Sequence, residues 1–287
     1  MNIMTVLKEA TALLESSGLT NSRLDAEVLL AFCLKKERAS FFTHPEEALT
    51  EKALKEFQRL VERRKLGEPV AYITGRKEFW SLPFKVNKHV LIPRPETEIL
   101  VEEVLKICPR TEGINPRILE IGTGSGAISI ALASELKNAN ITATDSSPEA
   151  VAIAARNAEI SSVTGKITFL VSDLFELMSG KFDIIVSNPP YISKAEYDQL
   201  PLGVRGFEPE SALLAGVEGT EIHREIIQGG ASFLKGGGWL FMEIGAGQKD
   251  RIENMLKEAH LYDKITFRND YAGIVRVVVA RRDLTGG

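Results

Sequence analysis

Cysteine is scarce in this sequence: 287 residues hold two, Cys33 and Cys108. Two thiols so far apart support neither a disulfide framework nor a metal knuckle, so a reducing, cytoplasmic setting is expected. Cys33 falls inside an apolar helical pattern and is expected to be a buried thiol. The four histidines, His44, His89, His223 and His260, form no ligand pattern, and no metal is expected. Long hydrophobic runs are missing too. None reaches the ~18 residues that span a bilayer. Met1 to Glu15 interrupts its apolar spacing with Lys8, Glu9 and Glu15, so it does not read as a secretory signal. An excess of positive charge is also lacking, with 35 Lys and Arg against 39 Asp and Glu. That balance excludes a protein that grips nucleic acid mainly through a basic surface, though not a local basic groove. What remains is globular: 44% apolar and 26% charged residues suffice for a full α/β domain with a smaller companion.

The first 67 residues carry only helical periodicity. Val6, Leu7, Ala10, Leu13 and Leu14 share a face, and Gly18 follows as a stop. Ser22-x-x-Asp25 has the form of a capping box, ahead of Leu24, Val28, Leu29, Phe32 and Cys33 at helical spacing. After Thr50, Leu54, Phe57, Leu60 and Val61 repeat the pattern until Gly67. Arg63-Arg64-Lys65 closes that stretch, where cations complement a helix dipole and a solvated end is expected. From Ala71 to Ile92 the period changes. Glu78-Phe79-Trp80, a turn at Ser81-Leu82-Pro83, and Phe84-Lys85-Val86 predict a hairpin. Pro95 and the neighbouring acids predict a helix start. Beyond Pro116, strands and helices alternate: strands at 117–121, 140–144, 167–171, 182–187, 239–244, 264–268 and 274–280, helices at 127–136, 148–159, 220–234 and 248–260. The alternation predicts a doubly wound α/β fold, a mostly parallel seven-stranded sheet with helices on both faces. Two final strands with no helix between them predict an antiparallel edge. The expected division is a helical bundle at 1–67, a hairpin linker at 68–95 and a catalytic domain at 96–287.

Two clusters carry chemistry. Ile118-Leu119-Glu120-Ile121-Gly122-Thr123-Gly124-Ser125-Gly126 runs from a strand through a glycine turn into a helix. Glycines there let backbone approach a ligand, and the helix N-terminus offers free N–H groups. Asp145 ends the next strand, where an acid in doubly wound folds bonds ribose hydroxyls. These residues predict a bound adenosine cofactor without naming it, since Gly122-x-Gly124-x-x-Ala127 also meets the dinucleotide pattern.

The second cluster, Ser187-Asn188-Pro189-Pro190-Tyr191, follows the fourth strand. Neither proline has a backbone N–H and both rings fix φ, giving a stiff loop that presents Asn188 and a main-chain carbonyl as acceptors. An amide or aryl NH2 has two donors to match them. Accepting both hydrogens localises the nitrogen lone pair for attack on a methyl group. Tyr191 is expected to stack on the planar target.

Together, Glu120-x-Gly122-x-Gly124-x-Gly126, Asp145 and Asn188-Pro189-Pro190-Tyr191 resemble the signature of amino-methyltransferases acting on DNA adenine, rRNA guanine or protein glutamine. Pro69-Val70-Ala71-Tyr72-Ile73-Thr74-Gly75, Ile92-Pro93-Arg94-Pro95-Glu96-Thr97-Glu98, and Phe207-Glu208-Pro209 with Ala212-Leu213 look like the PrmC/HemK family, as does the helical bundle. The resemblance covers essentially the whole chain. It implies a methyltransferase-type (Rossmann-like) sheet and S-adenosyl-L-methionine as cofactor. It implies methylation of the glutamine N5 in the Gly-Gly-Gln motif of class 1 peptide chain release factors, by a cytoplasmic monomer that binds neither membrane nor nucleic acid. The bundle would then recognise the protein substrate. Glu120, Gly122, Thr123, Gly124, Ser125 and Gly126 would line the methionine and ribose, and Asp145 would hold the ribose hydroxyls. Asp173 and Leu174 would lie near the adenine. Asn188, Pro189, Pro190 and Tyr191 would hold the glutamine amide and carry catalysis, Asn188 also bordering the cofactor. Some relatives have tryptophan in place of Leu174, which leaves adenine stacking weaker or passes it to Phe175. Arg94, Glu96, Thr97 and Glu208 stay open between helix start and lip over the cofactor. The rival activities are glutamine methylation of a large-subunit ribosomal protein and amino-methylation of a nucleic acid. A nicotinamide dehydrogenase would need a hydride-transfer site, and none is visible.

Overall fold

The computed structural model describes residues 1–108 and 115–284. The chain forms two compact units: Met1–Arg76 with Pro201–Phe207, and Lys77–Leu200 with Glu208–Gly287. Among the described residues no helix is long and apolar enough to cross a membrane.

The first unit is helical: α1 (Ile3–Ser16), α2 (Ser22–Leu34), α3 (Ser40–Thr43), α4 (Glu51–Lys65) and α5 (Val70–Thr74). Its core joins Leu7 and Leu14 of α1, Leu29 and Leu30 of α2, and Phe57 and Leu60 of α4. Asn2 caps α1 through Thr5 N–H, and Thr50 caps α4 through Ala53 N–H. The capping box expected at Ser22 does not form. Ser22 is already inside the helix and buried, and its hydroxyl donates to Leu19 O at 2.7 Å. Asp25 turns instead to Arg64, 2.7 Å away. The buried face of α2 carries Ala26, Leu29 and Leu30, while Leu24 is exposed. Nor is the basic end of α4 simply solvated, because Arg64 also donates to the Gly67 and Glu68 carbonyls and Arg63 pairs with Glu68. Cys33 is half-buried, its thiol donating to Ala53 O at 3.4 Å. Residues 70–74 are helical, unlike the strand-like stretch expected from Ala71, because Pro69 starts a turn that Gly75 ends at φ +70°.

The second unit opens within the hairpin of β1 (Arg76–Phe79) and β2 (Leu82–Lys85), at Lys77. Its turn is Trp80-Ser81, one residue earlier than the spacing predicts, both residues with positive φ. Two-residue turns of this sign match strand twist. Trp80 is held there by its N–H on Glu98 (2.8 Å) and its indole N–H on Glu135 (2.9 Å). Then come α6 (Thr97–Ile107), β3 (Arg117–Ile121), α7 (Ala127–Glu135), β4 (Asn140–Asp145), α8 (Pro148–Ile160), β5 (Ile167–Val171) and β6 (Phe182–Ser187). Three short elements follow, β7 (Ile192–Ser193), α9 (Lys194–Tyr197) and α10 (Leu202–Arg205), then β8 (Leu214–Gly216). The chain closes with α11 (Glu221–Phe233), β9 (Leu234–Glu243), α12 (Lys249–Ala259), β10 (Tyr262–Asn269) and β11 (Val275–Arg282).

Seven strands make one sheet in the order β10-β11-β9-β6-β3-β4-β5. β9, β6, β3, β4 and β5 are parallel, and β11 runs antiparallel between β9 and β10. Strands buried on both faces account for the continuous apolar runs Ile118–Leu119 and Ile184–Val186. From β3 the chain moves outward through β4 to β5, then restarts on the other side at β6. The carboxyl ends of β3 and β6 therefore border a topological switch point, where such sheets open a crevice.

Candidate active site

Both clusters singled out in the sequence arrive at that switch point. After β3, Gly122, Gly124 and Gly126 all take positive φ. At Gly122 and Gly124 an added Cβ would meet nothing within 4 Å, so the bare backbone faces open space. Gly126 does something else: a Cβ there would meet Ile130 Cδ1 at 2.9 Å and Ala154 Cβ at 3.2 Å. Its lack of a side chain lets α7 approach α8. Asp145, ending β4, ties the loop in place. Its Oδ2 accepts Gly124 N–H at 2.8 Å and its Oδ1 accepts Ser147 N–H at 3.0 Å. Burial nevertheless raises its pKa. Glu120 is fully buried beneath the loop, with Oε2 accepting from Thr123 Oγ1 (2.7 Å) and Ser129 N (3.1 Å). Burial pushes this carboxyl up to about 7.

At the end of β6, Ser187 donates its hydroxyl to Ile121 O at 2.8 Å, locking the two strand ends together. Asn188 Nδ2 donates to Thr97 Oγ1 at 3.0 Å, and Thr97 Oγ1 donates to Glu243 Oε2 at 2.7 Å. Tyr191 donates its hydroxyl to the other oxygen, Glu243 Oε1, at 3.3 Å. The proton directions are forced when Glu243 is ionised. A carboxylate only accepts, so Thr97 spends its one proton there and offers Asn188 only lone pairs. The Asn188 amide must then present Nδ2 to Thr97. Tyr191 O is held by Gln248 Nε2 at 2.8 Å, and Gln248 Oε1 accepts Gly245 N–H at 2.8 Å. The end of β9 thus anchors both ends of the proline loop.

One cavity of about 200 Å³ joins the clusters, lined by Glu120, Gly122 to Ser125, Asp145, Asp173, Leu174 and Asn188 to Pro190. A single water needs only ~10–15 Å³, so the space suits a ligand. Thr97, Arg94 and Pro209 line it as well. Glu208 is buried and braces this rim by pairing with Arg94 and accepting Ile92 N–H. Leu174 reaches the cavity with φ +40°. Phe175 does not line it, because its ring stacks on Phe233 at 5.1 Å, against Gly229. Tyr191 is absent from the lining, and its hydroxyl is bonded to Glu243.

Glu243, Gln248 and the rim residues His89, Val90 and Ile222 were not singled out by the sequence. Only Glu243 left a signal, as a lone charge ending the apolar strand Trp239 to Met242.

Comparison with known proteins matches the same two regions. Residues 5–75 fit the family model of the PrmC N-terminal domain, and residues 95–201 that of the methyltransferase small domain. The release factor glutamine methyltransferase of Koribacter versatilis is 39% identical over 284 residues, spanning 98% of this chain and 99% of that protein. That of Coxiella burnetii is 43% identical over 282 residues, spanning 97% of this chain and all of its own length. Among solved structures, the hMettl16 catalytic domain superposes with a TM-score of 0.58 at 16% identity, covering 71% of this chain and 76% of its own. A likeness at that identity is one of fold alone.

Proposed function

Since this chain belongs to the family of release factor glutamine methyltransferases, we propose that it methylates the glutamine side-chain nitrogen in the Gly-Gly-Gln loop of class 1 peptide chain release factors. It acts in the cytoplasm as a monomer, with S-adenosyl-L-methionine as methyl donor. The observation that carries the reading is the single cavity that holds both the glycine loop and the polarised Asn188 amide.

The residues suit that cofactor. Gly122 and Gly124 leave room where any side chain would intrude. Each Asp145 oxygen has accepted one N–H and keeps a lone pair for a ribose hydroxyl. Glu120 keeps Oε1 for an ammonium, and bringing a cation to a buried carboxyl favours its ionised form. Leu174 offers an apolar wall for the adenine beside Asp173. When bound, the cofactor supplies an electrophilic methyl on a sulfonium.

The chain's own work is to position and polarise. Asn188 Oδ1 and a main-chain carbonyl of the Pro189-Pro190 pair accept the two hydrogens of the target amide. The proline rings hold these acceptors still, so little reorganisation is needed on binding. Lone-pair density then collects on the nitrogen. Transfer of the methyl leaves a protonated, methylated amide, a strong acid that gives its extra proton to water, so no dedicated base is required. Tyr191 serves by anchoring the loop through Glu243. Residues 1–67 recognise the protein substrate, 68–95 form the linker and 96–287 the catalytic domain.

The test is mass spectrometry of a release factor incubated with enzyme and isotopically labelled cofactor. One labelled methyl on the Gly-Gly-Gln glutamine is expected. Label on a ribosomal protein or on nucleic acid, with none on the release factor, would overturn the reading.

A further inference from the structure

The catalytic amide of Asn188 does not stand alone. Three oxygen-bearing groups behind it form a closed chain: Asn188 Nδ2 to Thr97 Oγ1 (3.0 Å), Thr97 Oγ1 to Glu243 Oε2 (2.7 Å), and Tyr191 Oη to Glu243 Oε1 (3.3 Å). Glu243 is almost wholly buried and does not border the cavity, so water does not substitute for a missing partner of its carboxyl. A side-chain amide has two ends of similar shape and opposite polarity, and packing alone does not tell them apart. Only the donor and acceptor pattern behind it does.

We propose that Glu243 is a positioning residue which, through Thr97, sets which end of the Asn188 amide faces the target, so that turnover requires the Glu243 carboxylate. With Glu243 ionised, Thr97 donates to it and accepts from Nδ2, leaving Oδ1 toward the substrate as the needed acceptor. With Glu243 protonated, its own O–H can donate a hydrogen bond to Thr97 Oγ1 while the proton stays on the carboxyl. The Thr97 hydroxyl is then released to donate to Oδ1 of a flipped Asn188. The flipped amide presents Nδ2 to the substrate NH2, donor against donor, and the target is repelled. The relay rests on reading Asn188 as the acceptor for a substrate amide.

The surroundings of Glu243 bear on its ionisation. Thr97 and Glu96 face it from the start of α6, Tyr191 from the loop after β6, and Arg276 from β11. His223 of α11 bonds the Glu243 main-chain carbonyl through Nε2 at 2.8 Å. Arg276 is already paired with Asp270 at 3.0 Å, so it neutralises Glu243 only in part. Burial dominates and pushes the carboxyl up to about 7. The relay therefore switches within the physiological range.

Three proteins test it at saturating cofactor: wild type, Thr97→Val and Thr97→Ser. In the wild type kcat should be about tenfold higher near pH 8 than near pH 6, as a single group titrating near 7 requires. Thr97→Val keeps shape but cuts the chain. Its kcat should fall about tenfold or more at pH 8, with the pH dependence lost and cofactor affinity within about twofold of wild type. Thr97→Ser should restore both rate and pH profile. Glu120 also titrates near 7 but is untouched by these variants, so a pH profile that survives in Thr97→Val would assign it to Glu120 and overturn the relay. Wild-type turnover in Thr97→Val, or no recovery in folded Thr97→Ser, would overturn it too. If Thr97→Val does not fold, Glu243→Gln takes its place, with a low, pH-independent kcat expected and a wild-type profile fatal. A readout free of turnover separates the relay from the substrate reading. The 15N-resolved Nδ2 hydrogens of Asn188 should titrate with Glu243 in the wild type and not in Glu243→Gln. That result in an enzyme that methylates no release factor would retire the substrate and keep the relay. Silence of the Asn188 resonance through that range would retire the relay.

Discussion

Burial moves carboxyl and imidazole groups of the second unit in opposite senses. Glu120 and Glu243 rise from about 4.5 to about 7, whereas His223 falls from 6.5 to about 4. For the two acids the folded pKa exceeds the unfolded one, so their stabilising contribution is full below 4.5 and is lost as pH rises to 7. For His223 the folded pKa is the lower one, so its contribution is full above 6.5 and is lost as pH falls toward 4. Each shift corresponds to about 3 kcal/mol at ~1.4 kcal/mol per pH unit. Glu120→Gln isolates one of them. The glutamine oxygen can still accept from Thr123 and Ser129, but no charge is buried. Without cofactor this variant should be more stable than wild type at pH 8 by up to about 3 kcal/mol, with the gain gone by pH 4.5. Denaturant melts across pH would show it. On the proposed function the same change also removes a charge-assisted bond to the cofactor's ammonium, and calorimetry should then find affinity lower by about ten- to a hundredfold. Asn188→Ala tests the opposite allocation. It should depress kcat by about two to three orders of magnitude, as loss of one preorganised polar group in a water-poor site does, with much smaller change in cofactor binding.

The strand–glycine turn–helix element from β3 to α7 shows what its three glycines are for, and they are not equivalent. Gly122→Ala places a methyl in the open cavity at φ +72°, with no neighbour within 4 Å. Its stability cost should be about 1–2 kcal/mol, from the left-handed backbone alone, while cofactor binding is largely lost. Gly126→Ala pays the same backbone penalty and also drives a methyl against Ile130 and Ala154. It should be the more destabilising of the two by about 1–3 kcal/mol for the overpacking, which thermal melts of the pair would measure. Elements of this kind were legible in the sequence because local chemistry sets them. Glycines mark the turn, Asp145 the strand end, two prolines the stiff loop, and continuous apolar runs the buried strands. The relay was not legible. Thr97 and Glu243 stand 146 residues apart and meet only because α6 packs beside β9. The place of Phe175 was not legible for a related reason: aromatic type suggests stacking, but its partner, Phe233, is chosen by tertiary packing.

At the scale of the whole molecule, the chain leaves the catalytic unit after Leu200, contributes Pro201–Phe207 to the helical unit, and returns at Glu208. Within the helical unit, Gly67 lies against Phe207 and Leu202. Deleting residues 1–67 would therefore strip the segment 201–207 of its packing as well as remove the proposed recognition surface, and lost activity would have two causes. Surface substitutions separate them. A Gly-Gly-Gln loop is small and glutamines are common, so selection of one protein must draw on surface away from the chemistry. Residues 1–67 hold 10 acids and 11 bases, which gives little electrostatic steering. Apolar side chains are the better candidates. Phe42 is 68% exposed and Leu66 70%, and neither holds the unit together. Phe42→Ser with Leu66→Ser should leave the melting temperature within about 2 °C, as surface changes within ~0.5 kcal/mol do. KM for an intact release factor should rise about tenfold or more, with kcat little changed. Turnover of a short Gly-Gly-Gln peptide, too small to span a docking surface, should be unaltered. If both substrates are turned over as by wild type, recognition lies on another surface. If both fall together in a protein that melts normally, the helical unit supports catalysis and does not choose the partner.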